Sequence, residues 1–78
     1  MEYVPLCDIK KNEQIIIRKM LKNKNLGRRL LDMGFIEGTK VKCIRKSPLG
    51  DPKAYLIRGS VIALREEDAR TILGVKIP

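Results

Sequence analysis

Apolar and polar residues alternate over several short stretches of this chain, and the alternation predicts β-strands. The segment QIIIRKM at 14–20 is rich in β-branched residues, which favour strands. Further along, Val41 and Cys43 alternate with lysines, so the strand that they predict has one apolar face and one face in water. Asn12 lies at a predicted tight turn before the first strand, because asparagine tolerates the left-handed backbone conformation.

Proline and glycine separate the predicted strands of the second half of the chain. The segment SPLGDP predicts a hairpin loop, because proline donates no ladder hydrogen bond and glycine adopts positive φ. The strand KAYLIRG at 53–59 follows, and Gly59 marks a second tight turn. Beyond this turn, a further strand carries Ile62 and Leu64 on one face.

A change of period between the first two strands predicts a short helix in NLGRRLLDMG at 25–34. Leu26, Leu30 and Met33 fall at positions i, i+4 and i+7, which places them on one side of a helix. An asparagine can cap its start, and Gly34 can take the left-handed conformation that ends it. The predicted helix has about two turns.

The order of these elements predicts a small, mainly β protein. REEDARTI at 65–72 opens with acidic residues, which favour the start of a helical turn, and LGVKIP is the final strand. Several short strands with glycine turns in 78 residues favour a closed barrel, since closure removes free strand edges. We therefore interpret residues 1–78 as one domain, an SH3-like β-barrel with one short inserted α-helix and a helical turn before the last strand.

Charge is the strongest signal in the composition, with a net charge of +8 and a pI near 9.9. It favours an acidic partner, which could be nucleic acid, an anionic membrane surface or an acidic protein. The densest basic stretch, residues 18–29, contains no acidic residue and is a candidate binding surface, with a solvated basic face as the alternative. Its cations are Arg18, Lys19, Lys22, Lys24, Arg28 and Arg29, the last of which lies beside the apolar helix face and is also a candidate for a structural role.

The residue types that most catalytic and metal sites need are missing. Histidine is absent, and Cys7 and Cys43 lie far apart, which excludes a C-x-x-C redox pair, a zinc site of the usual spacing and a Cys–His nucleophile. The acidic group 66–68 is better explained by the start of a helix than by iron ligation. We expect free thiols, with Cys43 in the core, and no catalytic residue, no cofactor and no bound metal.

Apolar residues on the outward side of the later strands form a second candidate binding surface. The alternation that turns Tyr55 inward turns Leu56 and Val61 outward. Leu49 occupies the tip of the proline loop, with Asp51 beside it. The three outward apolar side chains are expected to share one region of surface, which would mark a partner site, with ordinary scattered exposed apolar residues as the alternative. The rigid loop is expected to present Leu49 to a partner at low entropic cost.

Membrane and export segments are absent from the pattern. No stretch approaches the roughly 20 apolar residues that span a bilayer, and MEYVPLCDIKKN lacks the apolar run of a secretory signal. The expected location is the cytoplasm.

Three blocks in register resemble one known family. RRLLDMGFIEGTKV, SPLGDPKAYLIRG and IALREEDARTI resemble, in order and spacing, the FeoA-like family of small SH3-like domains, and the likeness runs from Pro5 to Val75. Asn12 stands where the family usually has glycine, and asparagine still suits a left-handed turn. The residues that carry the resemblance are Arg29, Leu30, Gly34, Gly38, Pro48, Gly50, Asp51, Pro52, Gly59, Ala63, Leu64, Arg65 and Ala69.

The resemblance implies a non-enzymatic, cytosolic accessory protein of ferrous iron uptake. Such a protein would dock on the cytoplasmic part of a FeoB-type transporter, which carries a GTP-binding domain, and would meet the membrane only indirectly, through that transporter. The candidate partner-binding residues are Leu49, Asp51, Leu56, Val61, Arg18, Lys19, Lys22, Lys24 and Arg28.

Two alternative functions fit a small basic barrel. The first is nucleic-acid binding through the basic stretch, which is disfavoured because Phe35 and Tyr55 fit core positions and leave little for base stacking. The second is a regulatory module of the kind fused to metal-responsive repressors. The lack of a DNA-reading helix-turn-helix counts against this chain doing that job alone.

Overall fold

The computed structural model describes residues 2–21 and 24–78, and of residues 24–27 it describes only the backbone. It contains six strands, two α-helices and a 3₁₀ helix. In chain order these are β1 (Val4–Pro5), the 3₁₀ helix (Leu6–Asp8), β2 (Gln14–Met20), α1 (Lys24–Asp32), β3 (Lys40–Lys46), β4 (Lys53–Ile57), β5 (Ser60–Leu64), α2 (Glu66–Ala69) and β6 (Ile72–Ile77).

The strands form one antiparallel sheet in the order β1-β6-β2-β3-β4-β5. The predicted strands, both helical segments and the turns at Asn12 and Gly59 are confirmed, and Asn12 has a φ of 71°. The sequence did not predict β1 and the 3₁₀ helix, because a two-residue strand shows no periodicity and proline disfavours strands away from a sheet edge.

Side chains of β4 form hydrogen bonds to the segment that follows β1. Lys53 Nζ donates hydrogen bonds to the backbone carbonyl oxygens of Cys7 and, at 3.2 Å, Ile9. The Tyr55 hydroxyl donates to the carbonyl oxygen of Leu6 at 3.4 Å. These bonds tie β4 to the 3₁₀ helix that follows β1. Within the described residues no ladder joins β5 to β1, so the sheet keeps two free edges, and the expectation that closure removes them is wrong.

Apolar side chains from both ends of the chain fill the barrel. Val41 and Cys43 are fully buried, as their alternation predicted, and Leu30 of α1 is buried beside them in the same core. Met33 packs against this core, whereas the side chain of Leu26 lies outside the described residues. The buried set is Leu6, Cys7, Ile9, Ile15, Ile17, Leu30, Phe35, Val41, Cys43, Tyr55, Ile57, Leu64, Ala69 and Ile72.

Gly74 allows β6 to lie tightly against β2. It pairs with Ile17 on β2 and with Val4 on β1, so a strand lies on each side of it. A Cβ atom at this position would press on the carbonyl oxygen of Ile16 and lie 2.9 Å from Cδ1 of Ile15. The close approach of the two backbones therefore requires glycine.

Neither described helix combines the length and the apolar character needed to cross a membrane.

Candidate docking surface

The proline loop at 47–52 is held by its own hydrogen bonds and presents an apolar side chain to water. The Ser47 amide donates to the carbonyl oxygen of Pro52 at 3.0 Å, and the Gly50 amide donates to that of Ser47 at 2.9 Å. Leu49, between them, is 93% exposed. A leucine side chain exposed to this degree contributes almost no burial free energy to folding, and it is accessible to a partner.

Asp51 fixes this loop to α2. Its Oδ1 accepts a hydrogen bond from the backbone N–H of Glu66 at 2.8 Å, at the first residue of the helix. The carboxylate thus satisfies one of the free amides of the helix start and lies where the helix dipole favours a negative charge. Asp51 therefore has a structural role in holding the loop, whatever it contributes to a partner.

A cavity of about 230 Å³ opens beside Leu49, on the inward side of β4. Its apolar walls include Leu64, Tyr55 and Cys7, and Lys53, Asp51 and Glu66 also line it. The cavity therefore combines an apolar part with charged residues of both signs.

Leu56 and Val61 lie on the opposite, outer side of the sheet, which corrects the expectation of one shared apolar region. They are direct cross-strand neighbours, with Val61 58% exposed and Leu56 half-buried. Leu49 instead borders a cavity formed by inward residues such as Tyr55. The alternation predicted the correct side of the sheet for Tyr55, Leu56 and Val61. It could not give the side towards which the loop folds, because bonds between distant residues set that direction.

Cations surround Leu56 on the outer face. Lys42 is its cross-strand neighbour, and Lys40 and Arg58 line the same shallow depression of about 360 Å³, together with Gln14 and Gly59. No carboxylate is among these lining residues. The alternation had predicted lysines on a wet face of β3 but had not singled them out as a site, and it missed Arg58, whose position depends on the turn that follows β4.

The basic stretch extends from β2 into α1. Arg18 and Lys19 are exposed on β2, and Arg28 and Arg29 are exposed on α1. The described ion pairs, Glu66 with Arg70 and Glu13 with Lys76, include none of these four cations. Lys22 and the side chain of Lys24 lie outside the described residues.

The geometry favours neither a reactive thiol nor a metal site in the described residues. Burial raises the pKa of the Cys7 thiol, and the neighbouring Asp8 carboxylate raises it further. Burial also raises the pKa of Cys43 and of the Tyr55 hydroxyl. Over the described residues, no three acidic or cysteine side chains converge as a metal site would require.

The cysteines are therefore expected to be slow to react in the folded protein. A thiolate is the reactive form of cysteine, and a raised pKa lowers its fraction at neutral pH. We expect a chromogenic disulfide reagent at pH 7.5 to modify Cys7 and Cys43 at least tenfold more slowly in the native protein than in denaturant. Fast native labelling of Cys43, which is fully buried, would contradict the packing of the core.

Comparison with known protein families gives one consistent result. The FeoA domain model matches residues 4–76. The Fe(2+) transport protein A/Fe(2+) transporter FeoB fusion protein of Porphyromonas gingivalis (strain ATCC BAA-308 / W83) is 31% identical over 67 residues, which cover 86% of this chain and 8% of the relative. The chain thus corresponds to one small part of that much longer protein.

Solved structures agree on the fold. Stenotrophomonas maltophilia FeoA complexed with zinc, described as a prokaryotic SH3 domain protein, has a TM-score of 0.79 at 23% identity, covering 88% of this chain and 86% of that one. A manganese-dependent transcriptional repressor in complex with manganese has a TM-score of 0.90 at 11% identity, covering 99% of this chain and 38% of that one. The expected SH3-like fold is confirmed, and at these identities the likeness extends to the fold alone.

Proposed function

The chain belongs to the FeoA domain family, and from this premise we propose that it is an accessory protein of ferrous iron transport that docks on the cytoplasmic part of a FeoB-type transporter. The curated relative joins the two proteins in one chain, which supports their association. In this proposal the protein performs no catalysis and works in the cytoplasm, beside the transporter's GTP-binding domain.

The observation that carries the proposal is Leu49. Its side chain is 93% exposed at the tip of a loop that two internal hydrogen bonds and the Asp51–Glu66 bond hold in place. Burying a leucine side chain contributes about 1.5–3 kcal/mol, and a loop that is already ordered loses little entropy on binding. Leu49 thus has the properties of a small interface hot spot.

The basic residues supply the second part of the proposed interface. Exposed cations on β2, β3 and α1 give the protein a positive surface, in line with its net charge of +8. Such a surface speeds encounter with an acidic partner and weakens as salt screens it. Arg18, Lys19 and Arg28 are the described members of the predicted basic set that we assign to this role.

The variant Leu49→Ala is expected to weaken binding to the detergent-solubilised FeoB-type transporter of the same organism by about 5- to 30-fold, the equivalent of about 1–2 kcal/mol. Isothermal titration with the purified proteins measures this change. Tyr3→Ala is the control, because Tyr3 is a half-exposed side chain just before β1 that we assign to neither part of the interface. Equal affinities for wild type and Leu49→Ala would remove Leu49 from the interface.

Nucleic-acid binding remains the second candidate, because the exposed cations of β2 and α1 would also suit phosphates. Burial of Phe35 and Tyr55 leaves Tyr3, 48% exposed, as the exposed aromatic side chain of the described residues, which is a poor platform for stacking bases. The same titration with single-stranded RNA, in rising salt, separates the two functions. Tight RNA binding with a steep salt dependence, and no transporter binding, would favour this second candidate.

A further inference from the structure

The two edge strands of the sheet, β1 and β5, differ in how well they are protected against pairing with a strand of another chain. β1 has two residues, and one of them is Pro5, which cannot donate a hydrogen bond to a new neighbour. β5 runs for five residues, Ser60–Leu64, and contains neither a charged residue nor a proline. Short strands, charges and prolines are the usual protections of a sheet edge, so β5 is the unprotected one.

The register of the β4–β5 hairpin shows which backbone groups of β5 are free. Ile57 pairs with Ser60 across the turn formed by Arg58 and Gly59, whose φ angles are 50° and 80°. The residues that flank such a two-residue turn exchange both hydrogen bonds, and bonded pairs then alternate with non-bonded pairs along the hairpin. The amides and carbonyls of Val61 and Ala63 therefore point away from β4.

No other part of the described chain uses these groups. β4 is the sole strand paired with β5 there, and neither Val61 nor Ala63 takes part in the backbone hydrogen bonds described outside the ladders. Both residues are exposed. β5 thus offers two donors and two acceptors, spaced for an additional strand, along an edge that reaches water.

We propose that β5 receives an extended, acidic segment of a partner protein as a seventh strand. The inference rests on the proposed function, in which that partner is the FeoB-type transporter, and it names the kind of segment that the interface takes. Strand addition draws its affinity from main-chain hydrogen bonds and its specificity from alternate side chains. The added segment would place alternate side chains on the outer face of the sheet, beside Val61 and Ala63. Because these two residues are apolar and exposed, we expect apolar side chains at those positions of the segment.

The positive charge of this protein favours an acidic segment over a second copy of the same chain as the partner of β5. Lys40, Lys42 and Arg58 line the depression on the outer face, which reaches the turn before β5, whereas the exposed Glu66 and Glu67 follow Arg65 beyond the far end of β5. A second copy would bring another net charge of +8 to this surface, which repels it. A segment whose carboxylates lie beside that turn is attracted instead, and its association weakens with salt.

Hydrogen–deuterium exchange, resolved by residue with NMR, tests the proposal on the wild-type protein with the solubilised transporter. We expect the Val61 and Ala63 amides to exchange at least tenfold more slowly when the transporter is bound. The Ile62 amide already bonds to β4, so its exchange should slow less. Uniform protection of the whole hairpin, or none at Val61 and Ala63, would overturn strand addition.

A pair of substitutions at Ala63 tests the same edge by affinity. Ala63→Pro removes an N–H that the native ladder does not use, and edge strands tolerate such a proline. We expect it to weaken transporter binding at least tenfold, whereas Ala63→Val, which keeps the N–H, should stay within about threefold of wild type. Thermal unfolding verifies that both variants fold, and unchanged affinity for a folded Ala63→Pro would overturn the proposal.

The outcomes separate this inference from the function on which it rests. If the wild type does not bind the transporter, the proposed function and the strand addition both fail. If it binds but Val61 and Ala63 stay unprotected, the strand addition alone fails. If these amides become protected in the isolated protein as its concentration rises, a second copy occupies β5, and the acidic partner segment is wrong.

Discussion

Replacing Phe35 with alanine is expected to lower the free energy of unfolding by about 3–5 kcal/mol. Phe35 is fully buried, and its amide donates to the carbonyl oxygen of Leu30 at 2.9 Å just after α1. The substitution leaves a void in a thin core, where few neighbouring side chains can move to fill it. Because small proteins are stable by about 5–15 kcal/mol, this single change would consume a large part of the total.

Urea denaturation followed by circular dichroism measures the effect of Phe35→Ala, provided that the variant folds at low denaturant. Tyr3→Ala is the control, because Tyr3 is a half-exposed aromatic residue and its loss should cost well under 1 kcal/mol, the usual range for surface substitutions. A cost below about 1.5 kcal/mol for Phe35→Ala would show that the core is far less tightly packed around this ring than the structure indicates.

The second large effect is expected from Gly74→Ala, at about 3 kcal/mol. The new methyl group would press on the carbonyl oxygen of Ile16, which is backbone and cannot turn aside as a side chain can. Either β6 must move away from β2 or the ladder between the two strands must distort. Because β6 also pairs with β1, the distortion would affect both strands next to β6.

Gly38→Ala separates this steric effect from the general cost of replacing glycine. Gly38 has a φ of 90°, and beyond its two chain neighbours no atom of the described residues lies within 4 Å of the Cβ position, so its substitution reports backbone strain alone. We expect a cost of about 1 kcal/mol there. The same denaturation experiment compares the two variants. Similar costs for both would mean that β6 and β2 separate easily.

Local features of this fold could be predicted from the sequence because their causes are local. The alternation around Val41 and Cys43 fixed the buried face of β3, since side chains on a strand point to opposite sides in turn. The turns at Asn12 and Gly59 depend on the conformations that asparagine and glycine tolerate. Each of these causes lies within a few residues of its effect.

The features that escaped prediction depend on residues far apart in the chain. Lys53 joins β4 to the segment after β1 by donating to the carbonyls of Cys7 and Ile9, more than forty residues earlier. Asp51 holds the proline loop by bonding to Glu66, fifteen residues later, and this bond helps to set the position of Leu49. No pattern of apolar and polar residues encodes such pairs, so the sequence offers candidate binding residues without showing which of them lie together.

The place of β6 between β1 and β2 has a consequence for the newly made chain. The β3–β4–β5 hairpins join neighbours in sequence, so their contacts are local and can form early in folding. β2 needs residues 72–77 to cover its other edge, and among the described strands β1 pairs with β6 alone. The N-terminal strands of a new chain therefore keep unpaired backbone N–H and C=O groups, open to other proteins, until β6 has been made and is free to fold.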